Sequence, residues 1–185
     1  MSREIAMLPV ELLISEHRLI NHAVSVLKKE QQKIVASGKV DPNFIVIAVD
    51  FFRTYVDRYH RGKEEGILFE ALSRRKLSEA DAAMLREMIL EHALARKTLF
   101  NLEKLKESYI AGKTEALSGM VESLDTLIEL YPMHIEKEDK RFLYASMQYF
   151  TAKEQEEMLQ KFLEYNRNFT DNRYKQVIET VEREL

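Results

Sequence analysis

Helix-breaking residues are scarce in this chain. Its 185 residues include only five glycines and three prolines, while leucine, glutamate, lysine, alanine and isoleucine fill long stretches without turn clusters. Glycine costs a helix interior about 1 kcal/mol relative to alanine, and proline costs about 3 kcal/mol. The 45% of hydrophobic residues is enough for the core of one compact domain. The sequence therefore predicts an all-α fold.

Turn signals divide the chain into four long helices. The first three begin at a proline or an N-cap residue, and apolar residues recur at helical spacing within them. In the third helix the recurring residues are Leu85, Ile89, Leu99 and Leu102. The expected helices run from Pro9 to the Ser37-Gly38 break, from Pro42 to about Arg75, from Ser78 to near Gly112, and from about Thr114 to Ser146.

Two further signals complete this plan. Pro132 has no N–H to donate to the Ile128 carbonyl and is expected to kink the fourth helix. Thr151 and Glu154 form a capping-box pattern for a further helix, which residues 168–171 separate from a last one. We therefore predict an antiparallel up-down-up-down four-helix bundle over residues 1–150, with a C-terminal helical extension over residues 151–185 packed on it.

Composition argues against several kinds of protein. The chain has no cysteine, so a metal site must use nitrogen and oxygen ligands. A net charge of -3 offers no general attraction for nucleic acid. The longest apolar run, Phe44 to Val49, is far shorter than the roughly 20 residues that cross a bilayer. Because Met1 to Glu11 also lacks the basic and apolar parts of a secretory signal, we expect a cytoplasmic protein.

Four of the five histidines lie on apolar stripes of the expected helices. They are His17, His60, His92 and His134. Glu64 follows His60 by four residues and Glu138 follows His134 by four, and residues four apart share one helix face. His22 comes five positions after His17, so it points about 140° away and is expected to face elsewhere.

The histidines and glutamates recur at one spacing along the chain. His17 and His92 are 75 residues apart, and the pairs His60 and His134, and Glu64 and Glu138, are each 74 apart. Two helical hairpins with this content would bring four imidazoles and two carboxylates to the bundle centre with approximate two-fold symmetry. Such a set suits two metal ions bridged by both carboxylates, with an oxo, hydroxo or substrate bridge completing the pair.

Alternatives to this two-metal site can be weighed from the residues. Each histidine alone is better explained as a hydrogen-bonded core residue, but two buried glutamates are costly unless they are paired or metal-bound. Six ligands, two of them shared, favour iron over tetrahedral zinc, with zinc and manganese as alternatives. A ferritin-type site needs glutamate three residues before histidine in two helices, and only Asp57 stands so before His60. The remaining alternative is a metal-free helical interaction module.

Polar residues adjoin the proposed ligands. Glu65 and Asp139 lie a further 100° round and are expected beside the ligands or on the surface, with Asp139 open as a replacement or supplement for Glu138. Arg96 and Tyr131, each one turn from a ligand histidine, are candidate proton donors or gates, although salt bridging and packing are favoured for both. The aromatic residues expected in the core are Phe51, Phe52, Tyr55 and Tyr59.

Four segments resemble the ligand-bearing motifs of a known family, the hemerythrin-like or HHE cation-binding domain. Over about Leu8 to Met147 they follow the family order: Glu16-His17, the segment from Tyr59 to Phe69, Glu91-His92, and the segment from His134 to Asp139. The resemblance implies an up-down-up-down bundle around a di-iron centre. It also implies roles in dioxygen binding, in sensing of oxygen or nitric oxide, in iron handling or in iron-centre repair.

Two departures from the family narrow these roles. Oxygen-carrying hemerythrins have a second histidine one turn after the third-helix ligand, where this chain has Arg96, which argues against reversible oxygen carriage. The four-His, two-Glu set is more similar to bacterial iron-centre repair proteins and to eukaryotic iron- and oxygen-sensing domains. The cysteine-bearing N-terminal segment of the repair proteins is missing here, so that role is only partly supported.

Two function hypotheses follow from these residues. The first is a non-haem di-iron protein that binds, reacts with or senses dioxygen, peroxide or nitric oxide, because six protein ligands leave coordination positions open. The second is a metal-dependent regulatory or iron-handling protein without turnover, signalling through a partner or a second copy that docks on the extension from Thr151 to Leu185. Neither hypothesis assigns a separate catalytic residue.

Overall fold

The computed structural model describes residues 7–167 and 172–184, and within these ranges the chain is helical and contains no β-strand. The all-α prediction is confirmed. The predicted break at residues 168–171, the end of the last helix at Leu185, and the segment Met1 to Ala6 lie outside the described residues. The helices are α1 (Pro9–Ser37), α2 (residues 42–73), α3 (Glu79–Ile110), α4 (residues 116–146), α5 (Ala152–Arg167) and α6 (Asn172–Glu184).

The ends of these helices follow from the residues placed there. Gly38 adopts a left-handed conformation with φ of 66°, and its N–H donates to the Ile34 carbonyl at 2.9 Å, which ends α1. Ser78 caps α3 with its side chain. The backbone N–H of Thr151 donates to the Glu154 carboxylate at 2.8 Å, and the N–H of Glu154 donates back to the Thr151 hydroxyl at 3.3 Å. The predicted capping box is therefore present.

Helices α2 and α4 depart from regular α-helix, which the sequence analysis did not predict. In α2 the π-helical stretches Phe51–His60 and Glu64–Phe69 alternate with α-helical turns, and in α4 a π-helical stretch covers Glu138–Phe142. Wider π turns inside helices are frequent at functional sites. Glu64 and Glu138 each begin such a stretch, so the sequence repeat is also a repeat of local structure.

Two hydrophobic clusters fill the bundle, and the histidine positions lie between them. Along α1, His17 falls between Leu13 of one cluster and Ile20 of the other. Along α3, Met88 is fully buried, whereas the predicted core residue Ile89 is 45% exposed. That prediction was wrong because Leu85, Met88 and His92 set the inward stripe by steps of three and four residues, which leaves Ile89 at its edge.

The C-terminal extension, α5 and α6, packs against the bundle. From α5, Met158 and Phe162 are buried among side chains of α1 to α4. From α6, Tyr174 and Ile178 are buried, and the Tyr174 ring centroid lies 5.7 Å from that of Phe51. No helix in the described part of the chain has a stretch long and apolar enough to cross a membrane.

Phe162 tests how much the extension stabilises the bundle. Its side chain is completely buried, so we expect Phe162→Ala to lower the free energy of unfolding by about 3–5 kcal/mol. The measurement is equilibrium denaturation in urea. Phe100→Ala is the matched control, because Phe100 is 52% exposed, and it should cost less than about 1 kcal/mol. Equal losses from the two variants would contradict the packing of α5.

Candidate metal centre

The structure brings together the six side chains that the sequence repeat singles out, which we call the His/Glu cluster. Each helix of the bundle contributes at least one of them, and every one is at most 3% exposed. Their distribution is His17 from α1, His60 and Glu64 from α2, His92 from α3, and His134 and Glu138 from α4.

The four imidazoles form two pairs through their Nε2 atoms. The Nε2 atoms of His17 and His60 are 3.1 Å apart, and those of His92 and His134 are 3.0 Å apart. Two nitrogens that bind one metal at about 2.1 Å and at right angles lie about 3.0 Å from each other. Each pair is therefore spaced as two neighbouring ligands of one ion would be.

The Glu64 carboxylate faces both histidine pairs. Its Oε1 lies 3.1 Å from Nε2 of His60, and its Oε2 lies 3.5 Å from Nε2 of His92. The Glu138 carboxylate also faces both pairs, through a single oxygen: its Oε2 is 3.3 Å from Nε2 of both His17 and His134. Both carboxylates are thus in position to bridge two ions, one at each pair.

The carboxylate oxygens of this cluster have no hydrogen-bond donor. Both oxygens of Glu64 and both of Glu138 are buried without a hydrogen bond from any described residue, although imidazole nitrogens lie close to them. Burying a carboxylate in this way is costly unless a cation balances it. The ligand atoms of His17, His60, Glu64 and Glu138 all lie within 4.8 Å of one another, as do those of His92, His134 and Glu138. The cluster therefore fits metal cations.

The pKa values of the cluster show how it balances charge without a metal. Burial by itself would raise the pKa of Glu64, but the neighbouring imidazoles, His60 foremost, hold it well below its ordinary value. Burial would lower the pKa of His17, but the carboxylates of Asp139, Glu138 and Glu64 raise it well above its ordinary value. Protons on His17 and on His60, whose pKa is also raised, thus compensate the buried charge of Glu64, and a bound metal would replace those protons.

Each histidine of the cluster also contacts a carboxylate outside the cluster through Nδ1, the ring nitrogen that points away from the cluster centre. Because an ionised carboxylate only accepts hydrogen bonds, Nδ1 donates in every case, and Nε2 faces inward, where its lone pair becomes available once a metal replaces a proton there. Such bonds fix the ring orientation and the tautomer of a metal-binding histidine. The contacts are His17 to Asp139 at 2.7 Å, His60 to Glu16 at 2.8 Å, His92 to Glu65 at 2.6 Å, and His134 to Glu91 at 2.8 Å.

Glu65 and Asp139, which were expected beside the proposed ligands or on the surface, each hold a cluster histidine, whereas the roles of Glu16 and Glu91 were not predicted. A signal for them was present, because both directly precede a histidine of the repeat and stand 75 residues apart. Their outer partners also repeat: Lys63 donates to Glu16, and Lys137, 74 residues later, donates to Glu91. The two-fold relation thus extends beyond the ligands to two layers of charged side chains.

Arg96 acts on the cluster through a carboxylate. Its guanidinium donates to Glu65 at 2.7 Å and to Asp57 at 2.6 Å, and Glu65 in turn holds His92. Burial by itself would raise the pKa of Glu65, but the hydrogen bonds from His92 and Arg96 lower it to about 2. Arg96 is therefore a salt-bridging residue, as the sequence analysis favoured.

Tyr131 and Arg61 form a buried polar pair below the cluster. The Tyr131 ring stacks on Phe52 with centroids 4.8 Å apart, and the Arg61 guanidinium lies over it at 5.3 Å. The Tyr131 hydroxyl and Nη1 of Arg61 have no hydrogen-bond partner among the described residues. Burial is the main cause that lowers the pKa of His92. The hydrogen bond to Glu65 raises it, and the positive charge of Arg61 lowers it further.

The remaining candidates lie where the spacing predicted. His22 points away from the cluster and pairs through Nε2 with Glu182 of α6 at 2.7 Å. The predicted core aromatics Phe51, Phe52, Tyr55 and Tyr59 are all buried.

A helical bundle with a buried cluster of four histidines and two glutamates belongs to the class of metal-binding bundles. A family model for the hemerythrin HHE cation binding domain matches residues 8–145. The chain is a member of that family, which confirms the resemblance drawn from its motifs. Comparisons with curated proteins and with solved structures found no significant match.

Substitution of Glu64 tests the cluster directly. We expect Glu64→Ala to reduce bound metal from about two ions per chain to one or none, because it removes a carboxylate that faces both histidine pairs. The measurement is metal content by mass spectrometry after reconstitution. Glu136→Ala is the control, since Glu136 lies on the same helix as Glu138 but is exposed and pairs with Lys140. Full metal content in Glu64→Ala would contradict the ligand assignment.

Proposed function

We propose that this chain is a non-haem di-iron protein that binds, reacts with or senses dioxygen, peroxide or nitric oxide. One observation carries the proposal: two histidine pairs share two buried carboxylates whose oxygens have no hydrogen-bond donor. Two divalent cations would give each histidine pair an ion and both carboxylates a partner.

The donor set supports iron. The chain offers imidazole and carboxylate only, which suits iron and disfavours metals that prefer thiolates. Six ligands, two of them shared, also exceed what tetrahedral zinc sites use. Zinc and manganese are the alternatives that the same donors would accept.

The burial of the cluster supports a small ligand. All six side chains are at most 3% exposed, so only a molecule of a few atoms would reach their inner atoms. Iron supplies open coordination positions and a change of oxidation state for such a ligand. Roles in iron homeostasis or in repair of iron centres are compatible with this chemistry.

The surrounding residues keep the imidazoles ready for metal. Glu16, Glu65, Glu91 and Asp139 hold the Nδ1 protons, which fixes each Nε2 lone pair toward the cluster centre. Lys63, Lys137 and Arg96 bond three of these carboxylates and offset their negative charge. Repulsion between these outer carboxylates and Glu64 or Glu138 is thereby reduced.

Reconstitution without oxygen tests the proposal. Protein loaded with ferrous iron should hold about two ions per chain and change its visible absorption spectrum on addition of nitric oxide, dioxygen or hydrogen peroxide. Separate additions would show which of the three reacts. Glu64→Ala treated in parallel should hold fewer ions than wild type and lose the spectral change. Iron that is bound but unchanged by all three molecules would contradict the proposal.

A second candidate is a metal-dependent regulatory or iron-handling protein without turnover. The observation that favours it is a contact between the cluster's surroundings and the C-terminal extension: Lys63 donates to Asn166 of α5 at 2.8 Å. An occupied site would then influence a surface available to a partner or a second copy.

Thermal melting tests this second candidate. A metal that binds only the folded state adds about 2.7 kcal/mol of stability at 100 times its dissociation constant. We therefore expect the metal-loaded protein to melt at a clearly higher temperature than protein stripped with a chelator. Superimposable melting curves would rule out regulation through metal-linked stability.

A further inference from the structure

The two halves of the His/Glu cluster differ in how their lysines are held. Lys137 donates to Glu91 and also to Glu87 at 2.5 Å, and its side chain is 20% exposed. Lys63, the equivalent residue 74 positions earlier, is completely buried. It donates to the side-chain oxygen of Asn166, which belongs to the C-terminal extension.

A chain of hydrogen bonds therefore joins α5 to a cluster histidine. Nζ of Lys63 donates to Oδ1 of Asn166 at 2.8 Å and also to Glu16. The other Glu16 oxygen, Oε2, lies 2.8 Å from Nδ1 of His60. All four residues are buried or half-buried. Because the protein interior screens charge weakly, displacing one residue of this chain changes the position and the hydrogen bond of the next residue.

A second contact brings α5 close to this half of the cluster. The Tyr165 hydroxyl donates to the carbonyl of Arg58 at 2.7 Å, inside the π-helical stretch that ends at His60. Gly62 makes this approach possible, since a Cβ there would lie only 2.1 Å from the Tyr165 oxygen. The equivalent position in the other half, 74 residues later, is Glu136, which is exposed.

We propose that Asn166 is a positioning residue of the metal centre, which fixes His60 through Lys63 and Glu16 and so couples the docking of α5 to metal held by the His17–His60 pair. The inference rests on the proposed metal-binding function. Coupling of this kind is reciprocal. Release of α5 weakens metal binding at one pair, and loss of metal loosens α5.

The expected size of the effect follows from the number of links. Loss of a residue that bonds a metal ligand directly costs 10–100-fold in metal affinity. Asn166 stands two residues further from the ligand than Glu16, so we expect a smaller effect, about 3–10-fold for Asn166→Ala. Asn166→Asp keeps an oxygen that accepts from Lys63 and should restore the wild-type behaviour. Asn166→Leu keeps a similar volume but has no acceptor for Lys63, so it should behave as Asn166→Ala does, whereas a purely packing role predicts wild-type behaviour for it.

The test combines metal release with amide exchange on the full chain. Ferrous protein is mixed with excess chelator, and iron release is followed by absorbance. In Asn166→Ala we expect one of the two ions to leave about 3–10 times faster than in wild type, with the other unchanged. In wild type, removal of iron should speed hydrogen exchange of the α5 amides, and Asn166→Ala should exchange fast with or without iron.

Two further variants serve as comparisons. Glu87→Ala removes the partner of Lys137 in the other half and should leave α5 exchange at the wild-type rate. Gly62→Ala displaces Tyr165 without touching Lys63, so it should also speed the release of one ion. Alanine stabilises a helix relative to glycine. If Gly62→Ala acted only by stabilising α2, it would therefore slow the release of that ion.

The outcomes separate this inference from the proposed function. Wild-type protein that fails to hold about two ions would overturn the proposed function and this inference with it. The positioning role alone would be overturned by a different set of results. Wild-type protein would hold both ions, Asn166→Ala and Gly62→Ala would release them at wild-type rates, and hydrogen exchange of the α5 amides would be the same with and without iron.

Discussion

Two glutamate carboxylates buried without hydrogen-bond donors are the constraint around which this bundle is organised. Glu64 and Glu138 lie at its centre among four imidazoles, and an apolar interior gives no other compensation for their charge. Protons on the histidines or metal cations must supply it. The outer carboxylates keep those imidazoles oriented, and the two lysines offset part of the negative charge that these carboxylates add.

The internal repeat explains how a short sequence builds so large a buried polar network. One arrangement of histidine, glutamate and lysine occurs twice, and the second copy supplies the other half of the site. The two copies differ at equivalent positions beside the cluster. Arg61 and Gly62 correspond to Ile135 and Glu136, so one half lies beside a buried guanidinium and accepts α5, while the other is closer to solvent. The chain thus has a nearly symmetric His/Glu cluster in asymmetric surroundings.

Much of the fold could be predicted because helix breakers are rare and the capping signals are strong. The helix end near Ser37 depends on a glycine that adopts a left-handed conformation, and the starts near Ser78 and Thr151 depend on local side-chain bonds, all of which the sequence displays directly. Errors arose where the packing of neighbours decides. Ile89 matches a helical period as well as Met88 does, and only the neighbouring helices select Met88 as the buried residue. The π turns of α2 and α4 leave no periodic signature either.

The sequence by itself determined the six members of the His/Glu cluster, because a repeat of ligand-type residues at helical spacing is visible along one chain. Tertiary structure alone decided which side chain meets which: that Asp139 of α4 holds His17 of α1, that Glu16 holds His60, and that Asn166 reaches Lys63. These pairs come from different helices and are far apart in sequence. Their distances depend on how the helices pack, which no local pattern specifies.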